Sequence, residues 1–412
     1  MTWTPPPRPS WVEQINSGEI WPISAVADVP LTLDHIAGQV ATALGCSTSE
    51  VIGELDDASH EALAVLLPAL ESEAQLNILG RWITHRYVTR LLHQRVLIER
   101  TFRDNPELTN ITIEEPWVVA GAPRTGTTIL HEVLMNDPAL RGPQGWELLF
   151  PAPLGDASDD DPRIALADIE LRTPQTVASG IVAIHEYSAR MPKECLSAMS
   201  FAFRSEEFVA RYNIPSYVAW LQQCDMTPAY AVHKRVLQML QHGMARRRWV
   251  LKSPVHLHSL DVLLNTYPDA KLSFTHRDPM LVLPSVTSLL ANLRWAHSDQ
   301  VSFADIGRYH ADLYSRSLDR LVDLDSASFL PTDRCTHSTH RQFLDDALEV
   351  IAAIYAQLNV ALPPLTRTTM AEYLRANPQG DKGGHSYSFD DLGLDRNHEL
   401  DRFARYADRF LS

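Results

Sequence analysis

The chain has 412 residues, of which 45% are hydrophobic and 21% charged, and its 36 basic and 51 acidic side chains give a formal charge of −15. A globular chain of this size buries an ample core without help from disulfides or metal ions. Its net negative charge argues against nucleic acid binding, which needs a basic face, so we expect no nucleic acid partner.

The N-terminus and the cysteines both favour a reducing compartment. Residues 1–9 lack the basic and then apolar pattern of a secretory signal. The longest apolar stretch, residues 62–70, is about half of the ~20 residues that a membrane helix needs. The four cysteines lie far apart and contain no CxxC pair: Cys46, Cys195, Cys224 and Cys335. We therefore predict a cytoplasmic protein with reduced thiols and no membrane span.

The N-terminal part of the chain has the periodicity of helices. Apolar residues recur at three- and four-residue spacing from about Leu31 to Arg103. Thr48 is a predicted helix start, and Asp104 closes the last of these helices. We predict an α-helical N-terminal section over residues 1–110, followed by an α/β domain over residues 111–412.

Beyond Pro116 the pattern changes to short apolar runs, each followed by a helical pattern. Such runs occur at residues 117–121, 249–251 and 272–275, and Phe329 and Leu330 mark the end of a further predicted strand. Alternating strands and helices predict a P-loop-like parallel sheet flanked by helices. Ligands of such sheets bind beyond the carboxyl ends of the strands.

One loop at such a strand end carries most of the functional information. The segment Gly121-Ala-Pro-Arg-Thr-Gly-Thr-Thr128 lies between a predicted strand and a predicted helix over residues 127–135. Backbone amides and threonine hydroxyls of such a loop converge on an anion. The glycine spacing matches the GxxxxG of a nucleotide-binding P-loop, but Thr127 stands where that motif has lysine. Arg124, inside the loop, is the nearby cation.

The loop resembles the phosphosulfate-binding loop of the sulfotransferases that use 3′-phosphoadenosine 5′-phosphosulfate (PAPS), in the arginine-bearing form of the tyrosylprotein sulfotransferases. That family binds the 3′-phosphate through an arginine at a strand end and a serine eight residues later, which Arg277 and Ser285 match. It also has a strand ending in a lysine near the transferred sulfuryl group, which Lys252 matches. The chain looks closest to a bacterial branch with a helical N-terminal extension.

The resemblance implies a donor site and a set of catalytic cations. The implied donor ligands are Arg124, Thr125, Gly126, Thr127, Thr128, Arg277 and Ser285, with Lys382 in the Gly-rich segment 380–387 as a further candidate for the 3′-phosphate. By analogy with phosphoryl transfer, Arg124, Lys252 and the threonine hydroxyls would stabilise charge on the leaving phosphate. No metal ion is required by this scheme.

Removal of a proton from the acceptor needs a general base. Glu147 is the first candidate, because the tyrosylprotein enzymes carry a glutamate at a similar distance beyond the loop arginine. His256 is the second, because cytosolic sulfotransferases have a histidine just after their lysine, although here it comes two residues later. His185 with Glu186 is the third.

Residues 148–247 are predicted to form a mainly helical insertion over the sulfuryl group. Its side chains predicted to line an apolar acceptor pocket, with core packing as the alternative, are His185, Tyr187, Met191, Phe201, Phe203, Tyr212, Tyr217, Trp220 and Tyr230. They favour a small apolar alcohol or phenol, with lipid or sterol alcohols, sugars and peptide tyrosines left open. His337 and His340 lack a carboxylate or cysteine partner, so we expect surface histidines and no metal site.

The sequence therefore predicts a PAPS-dependent sulfotransferase that acts on a hydroxyl or amine of a small-molecule acceptor. A P-loop kinase or other nucleotide phosphoryl transferase is one alternative, and the missing lysine at Thr127 and the Arg277 and Ser285 pair count against it. A noncatalytic nucleotide-binding scaffold is the other. No pattern predicts the oligomeric state.

Overall fold

A five-stranded parallel sheet forms the centre of the protein. The computed structural model describes residues 3–20, 23–153, 161–178, 180–181, 188–245, 247–377 and 388–412. The strands are β1 (Trp117–Ala120), β2 (Leu140–Arg141), β3 (Arg248–Lys252), β4 (Lys271–His276) and β5 (Cys335–Thr339), in the order β2-β3-β1-β4-β5. All four neighbouring pairs are parallel.

Helices cover the sheet and form the N-terminal part of the chain. Before the sheet lie α1 (Ser10–Asn16), α2 (Leu33–Leu44), α3 (Thr48–Gly53), α4 (Asp57–Ser72) and α5 (Ile78–Asp104). Between β1 and β3 lie α6 (Thr127–Leu134), α7 (Gly145–Leu149), α8 (Pro162–Val177), α9 (Leu196–Met199), α10 (Glu206–Arg211), α11 (Pro215–Leu221) and α12 (Thr227–Gln241). After β3 lie α13 (Leu260–Thr266), α14 (Pro279–Trp295), α15 (Phe303–Ser326), α16 (His340–Gln357), α17 (Pro364–Ala376) and α18 (Arg396–Phe410). Short 3-10 helices span Ile23–Asp28, Pro106–Asn110, Ser200–Ala202, Pro254–His258 and Phe389–Leu392.

Strand β1 lies in the middle of the sheet and is buried on both faces. Trp117 and Val119 pack into a core with α6, α16 and α17, whereas Val118 and Ala120 pack into the larger core on the opposite face. This division follows from the alternation of side chains along a strand. Parallel strands covered on both faces are continuously apolar, as the sequence indicated. The predicted fold class is confirmed.

The N-terminal helices share the larger core with the sheet. Leu31 and Leu91 belong to the same buried cluster as Leu251 of β3 and Leu272 of β4. The helices predicted between Leu31 and Asp104 are present as α2 to α5. The hydrophobic core is therefore continuous across residue 110, where the sequence predicted the end of a helical section.

The prediction of a strand ending at Phe329 and Leu330 is wrong. Leu330 is buried in the core, and the strand begins at Cys335. β5 is rich in hydroxyl side chains, and Thr336 Oγ1 donates to Ser273 Oγ at 2.9 Å inside the sheet. A search for apolar runs misses a strand whose buried polar groups are satisfied by its neighbour.

Two further sequence expectations concern the cysteines and the membrane. The four cysteines are free thiols, and two of them, Cys195 and Cys335, are buried. Among the helices of the described ranges, none is both long and apolar enough to cross a bilayer.

Candidate active site

The loop between β1 and α6 has the backbone geometry of an anion site. A Cβ atom on Gly121 would lie 2.6 Å from the carbonyl oxygen of Thr275, so only glycine fits there. Gly126 has a φ of 107°, which favours glycine, and it caps α6 without a side-chain hydrogen bond. The first amides of α6, at Thr127 and Thr128, lack intrahelical acceptors. These amides and the helix dipole together favour a bound anion.

Thr125 contributes to the shape of the loop. Its hydroxyl donates to the Ala122 carbonyl oxygen at 2.7 Å and lies 2.7 Å from the Thr275 hydroxyl. The side chain is fully buried. We infer that Thr125, which the sequence placed among the donor ligands, uses its hydroxyl to hold the loop against β4.

Arg124, Arg277 and Ser285, three of the predicted donor ligands, meet beside this loop. Arg277 Nη1 donates to the carbonyl oxygen of Arg124 at 2.8 Å, and Arg124 Nε donates to Ser285 Oγ at 3.1 Å. Burial and the charge of Arg124 lower the pKa of Arg277. The buried Nε of Arg277 has no hydrogen-bond partner within the described part of the chain. A guanidinium with an unused donor, beside a second cation, is suited to a phosphate group.

Lys252 lies at the carboxyl end of β3, next to the first turn of α6. Its ammonium group donates to Thr128 Oγ1 at 3.2 Å and to Glu194 Oε1 at 2.5 Å. Lys252 is only 3% exposed. We call Thr128, Lys252 and Glu194 the reaction centre, because a cation that stabilises developing charge lies beside a carboxylate that can accept a proton.

Sequence reasoning missed Glu194, and the reason is structural. It is 58 positions from Lys252 in the chain. The backbone N–H of Cys195 donates to the Lys252 carbonyl oxygen at 3.0 Å, and that of Lys193 donates to the Pro143 carbonyl oxygen at 2.9 Å. The first bond attaches the segment to the end of β3, and the second attaches it to the loop that follows β2. In the sequence around Glu194, the one local feature was the adjacent pair Lys193-Glu194, which belongs to no motif.

A cavity enclosing about 1620 Å³ of empty space, part of it open to solvent, begins at the reaction centre. Its polar end includes Arg124, Thr127, Thr128, Glu194 and Lys252. Its apolar wall is formed by Leu171, Pro174, Ile181, Met191, Leu196, Val209, Ala210, Val255, Val286, Leu289, Leu290 and Leu293. This wall is aliphatic, and the rest of the cavity lining adds charged side chains and rings: Glu132, Glu170, Lys193, Glu206, Glu207, Arg211, His131, His310 and Tyr314.

Most of the aromatic residues predicted to line the acceptor pocket lie in the core instead. Phe201, Phe203, Tyr212, Tyr217 and Tyr230 are at most 1% exposed, and Trp220 packs against the same core. Met191 does line the cavity. His185, Tyr187 and the third candidate base pair, His185 with Glu186, lie outside the described residues. Helical spacing alone does not distinguish a core face from a pocket wall, and here the core alternative is correct for these residues.

Glu147, the first candidate base, is held away from the reaction centre. It forms an ion pair with Arg141 and accepts the backbone N–H of Gln144 at 2.8 Å in the capping box of α7. Burial raises the pKa of Glu147. Its side chain is 4% exposed and does not line the cavity. Both carboxylate oxygens of Glu147 bond to protein groups, so a structural role explains why this residue is buried here.

His256 is fully buried behind the cavity wall. Its Nδ1 lies 2.9 Å from the Tyr230 hydroxyl, and burial lowers its pKa to about 3. Its neighbours Pro254 and Val255 line the cavity, but His256 does not. The described His256 side chain therefore does not face the cavity.

Two histidines that line the cavity were not singled out by any pattern in the sequence. His131 lies one turn beyond Thr127 on α6, and burial and the charge of Lys252 lower its pKa to about 3. His310 lies in α15, with Nδ1 2.8 Å from the Ile306 carbonyl oxygen, and burial lowers its pKa to about 4. Both are neutral at physiological pH and so add no charge to the cavity.

His337 and His340 were expected on the surface. His337 is exposed on β5, as predicted, and its ring stacks on Phe274 at a centroid distance of 5.2 Å. His340 begins α16 and is half-buried, and burial together with Arg277 and Arg124 lowers its pKa to about 4. Over the described ranges, no group of three or more His, Cys, Asp and Glu side chains could hold a metal ion. Lys382 lies outside those ranges.

Comparison with curated proteins identifies related sequences. Residues 116–364 match a family model described as Sulfotransferase family. The omega-hydroxy-beta-dihydromenaquinone-9 sulfotransferases Stf3 of Mycobacterium bovis and Mycobacterium tuberculosis are each 29% identical to the chain over 230 residues. The match spans 52% of this chain and 56%, little more than half, of the length of each relative.

Comparison with solved structures extends the similarity over most of the chain. Sulfotransferase STF1 from M. tuberculosis H37Rv superposes with a TM-score of 0.76 at 30% identity, over 90% of this chain and 98% of that one. Sulfotransferase STF9 from Mycobacterium avium gives a TM-score of 0.81 at 26% identity, over 93% and 97% of the two chains. Because the family model covers more than half of the chain and includes the loop, Lys252 and Arg277, the chain belongs to the sulfotransferase family.

Proposed function

We propose that the protein transfers a sulfuryl group from PAPS to the hydroxyl group of an aliphatic, lipid-like acceptor. The observation that carries this proposal is the position of the reaction centre. Lys252, Glu194 and Thr128 lie where the anion loop meets an aliphatic cavity. Membership of the sulfotransferase family supports the same reaction.

The donor would occupy the loop side of the reaction centre. The amides of Thr127 and Thr128 at the start of α6 suit the phosphosulfate group. Arg277, with its unused Nε, and Ser285 suit the 3′-phosphate. Arg124 connects the phosphosulfate region with the 3′-phosphate region. Its backbone carbonyl accepts a hydrogen bond from Arg277, and its side chain donates one to Ser285.

The reaction breaks the bond between sulfur and the bridging phosphate oxygen and forms a bond from sulfur to the acceptor oxygen. Negative charge develops on the bridging oxygen, which Lys252 and the Thr128 hydroxyl are placed to stabilise. We assign the acceptor proton to the Glu194 carboxylate. The products are adenosine 3′,5′-bisphosphate and the sulfate ester of the acceptor.

The apolar wall of the cavity supports an aliphatic acceptor. Its branched aliphatic side chains supply the apolar surface that an alkyl chain buries on binding. The Stf3 relatives are named for an omega-hydroxy compound derived from a menaquinone. We therefore infer that the hydroxyl group stands at the end of an alkyl or prenyl chain.

Donor recognition predicts a selective nucleotide affinity that depends on Arg277. Calorimetry should show that the wild-type protein binds adenosine 3′,5′-bisphosphate in preference to ATP and AMP. Arg277→Ala should weaken bisphosphate binding about 10- to 150-fold, the ~1.5 to 3 kcal/mol of a hydrogen bond to a charged group. Arg320→Ala, which removes an exposed arginine paired with Asp261, is the matched control. Preference for ATP, or an unchanged affinity in Arg277→Ala, would refute this donor site.

If the cavity binds an aliphatic acceptor, kcat/KM should depend on the length of the acceptor's alkyl chain. For a series of primary alcohols, kcat/KM should rise with each added methylene by at most about fourfold, the ~0.8 kcal/mol of burying that group. Ala210→Trp, which fills part of the cavity, should reduce the dependence of kcat/KM on alcohol length and leave the affinity for the bisphosphate unchanged. Ala353→Trp on the exposed face of α16 is the control. A series that is flat in the wild type would argue against an aliphatic acceptor.

A further inference from the structure

The last helix of the chain, α18, reaches back to Arg277. The hydroxyl of Tyr406 lies 3.1 Å from Nδ1 of His276, the last residue of β4 and the neighbour of Arg277 in the chain. Tyr406 is only 1% exposed. The guanidinium of Arg277 donates to the carbonyl oxygen of Arg124 in the anion loop. Arg277 is thus held by α18 through its neighbour His276 and by the loop through its own side chain.

The hydrogen bonds around Tyr406 form a chain. The Tyr406 hydroxyl can donate its proton to His276 Nδ1. In that arrangement His276 Nε2–H donates to His337 Nδ1, 2.9 Å away, and His337 Nε2 lies 3.7 Å from the Asp325 carboxylate. Burial holds the pKa of His276 well below its usual range, so the ring stays neutral.

Helix α18 is itself attached firmly to α15. The ion pairs between the two helices are Arg402 with Asp312 at 2.7 Å, Arg405 with Asp323 at 2.6 Å and Arg409 with Asp325 at 2.6 Å. Phe410 adds a stacked contact with His276 at a centroid distance of 4.3 Å. These contacts place the Tyr406 hydroxyl at a defined position behind the end of β4.

We propose that Tyr406 is a positioning residue for Arg277 and, through it, for the 3′-phosphate of the donor. The inference rests on the proposed function, because it assumes that Arg277 binds this phosphate. An arginine that must be ordered on binding loses side-chain and backbone freedom, which reduces affinity. Tyr406 fixes His276, and with it the adjoining backbone of Arg277, before the ligand arrives and so removes part of that loss.

The test compares two nucleotides in one variant. Tyr406→Phe keeps the ring and its stacking but removes the hydroxyl. We expect its Kd for adenosine 3′,5′-bisphosphate to rise roughly three- to tenfold, the effect of one hydrogen bond, while its Kd for AMP stays the same. In turnover assays the KM for PAPS should rise by the same factor and kcat should be retained.

Tyr267→Phe is the matched control. It also removes a buried tyrosine hydroxyl that bonds to a histidine, at 2.7 Å from His233 Nδ1, but it does not contact Arg277. We expect its affinity for both nucleotides to be unchanged. A double variant with Arg277→Ala should bind the bisphosphate no more weakly than Arg277→Ala alone, because the hydroxyl acts through that side chain.

The outcomes separate this inference from the proposed function. A wild-type protein that does not distinguish bisphosphate from AMP overturns the proposed function, and this inference with it. Wild-type selectivity that persists in Tyr406→Phe overturns the inference alone. Equal losses of affinity for the two nucleotides in Tyr406→Phe would show a general structural effect of Tyr406 and would also overturn the inference. Additive losses of bisphosphate affinity in the double variant would do the same.

Discussion

Glu194→Gln should lower kcat about 10²- to 10⁴-fold, the contribution of a positioned general base. Glutamine has the shape of glutamate and can still accept a hydrogen bond from Lys252, which lies 2.5 Å from Oε1. It cannot accept the proton of the acceptor hydroxyl. Affinity for adenosine 3′,5′-bisphosphate should be retained, so calorimetry and turnover assays on the same preparation separate loss of catalysis from loss of donor binding.

Glu147→Gln provides the decisive comparison, because the sequence favours Glu147 as the base. In the structure, this carboxylate pairs with Arg141 and caps α7. We expect its replacement to reduce thermal stability far more than kcat, since it breaks a buried ion pair. If Glu147→Gln were folded and inactive while Glu194→Gln kept its turnover, the base would be Glu147 and our geometric assignment would be wrong.

Lys252→Met should reduce kcat about 10²- to 10³-fold, the typical cost of losing one group that stabilises a developing negative charge. Methionine matches the length and apolar stem of lysine, which suits a side chain that is 3% exposed. Bisphosphate binding should change much less, because this product lacks the sulfuryl group that Lys252 is placed to contact. The measurements are single-turnover rates with PAPS and calorimetry with the bisphosphate.

Lys252→Arg and Lys234→Met are the controls for this prediction. Lys252→Arg keeps the charge and should recover part of the rate, whereas Lys234→Met removes a lysine of α12 that does not line the cavity and should leave the rate unchanged. A Lys252→Met variant with normal kcat would exclude Lys252 from the reaction centre. It would also weaken the assignment of Glu194, whose position depends on the same ion pair.

The predicted site residues that the structure brings together lie close together in the chain or on regular elements. Gly121 and Gly126 are needed by a local backbone conformation, which leaves a recognisable spacing. Arg277 and Ser285 lie at the end of β4 and on the following helix, so their separation in the chain fixes their separation in space. β1 is a continuous apolar run because both of its faces are buried.

The parts that the sequence did not predict depend on contacts between distant segments. β5 has few apolar residues because its buried hydroxyls bond to the neighbouring strand. The aromatic residues of the insertion have the spacing of a helix face, but only packing decides whether such a face meets the core or the cavity. For Phe201, Tyr212 and Tyr217 it meets the core.

By itself, the sequence of this protein determined the fold class, the anion loop and the positions of Arg124, Lys252 and Arg277, because local backbone requirements and strand-end placement leave patterns in the chain. Only the tertiary structure decided which carboxylate joins them. Glu194 is placed beside Lys252 by backbone hydrogen bonds of its two neighbours, from Cys195 to Lys252 at the end of β3 and from Lys193 to Pro143, whereas Glu147 is engaged by Arg141. The aliphatic wall on one part of the cavity was likewise decided by packing, since a wall that combines residues of several separate helices has no signature in any one segment.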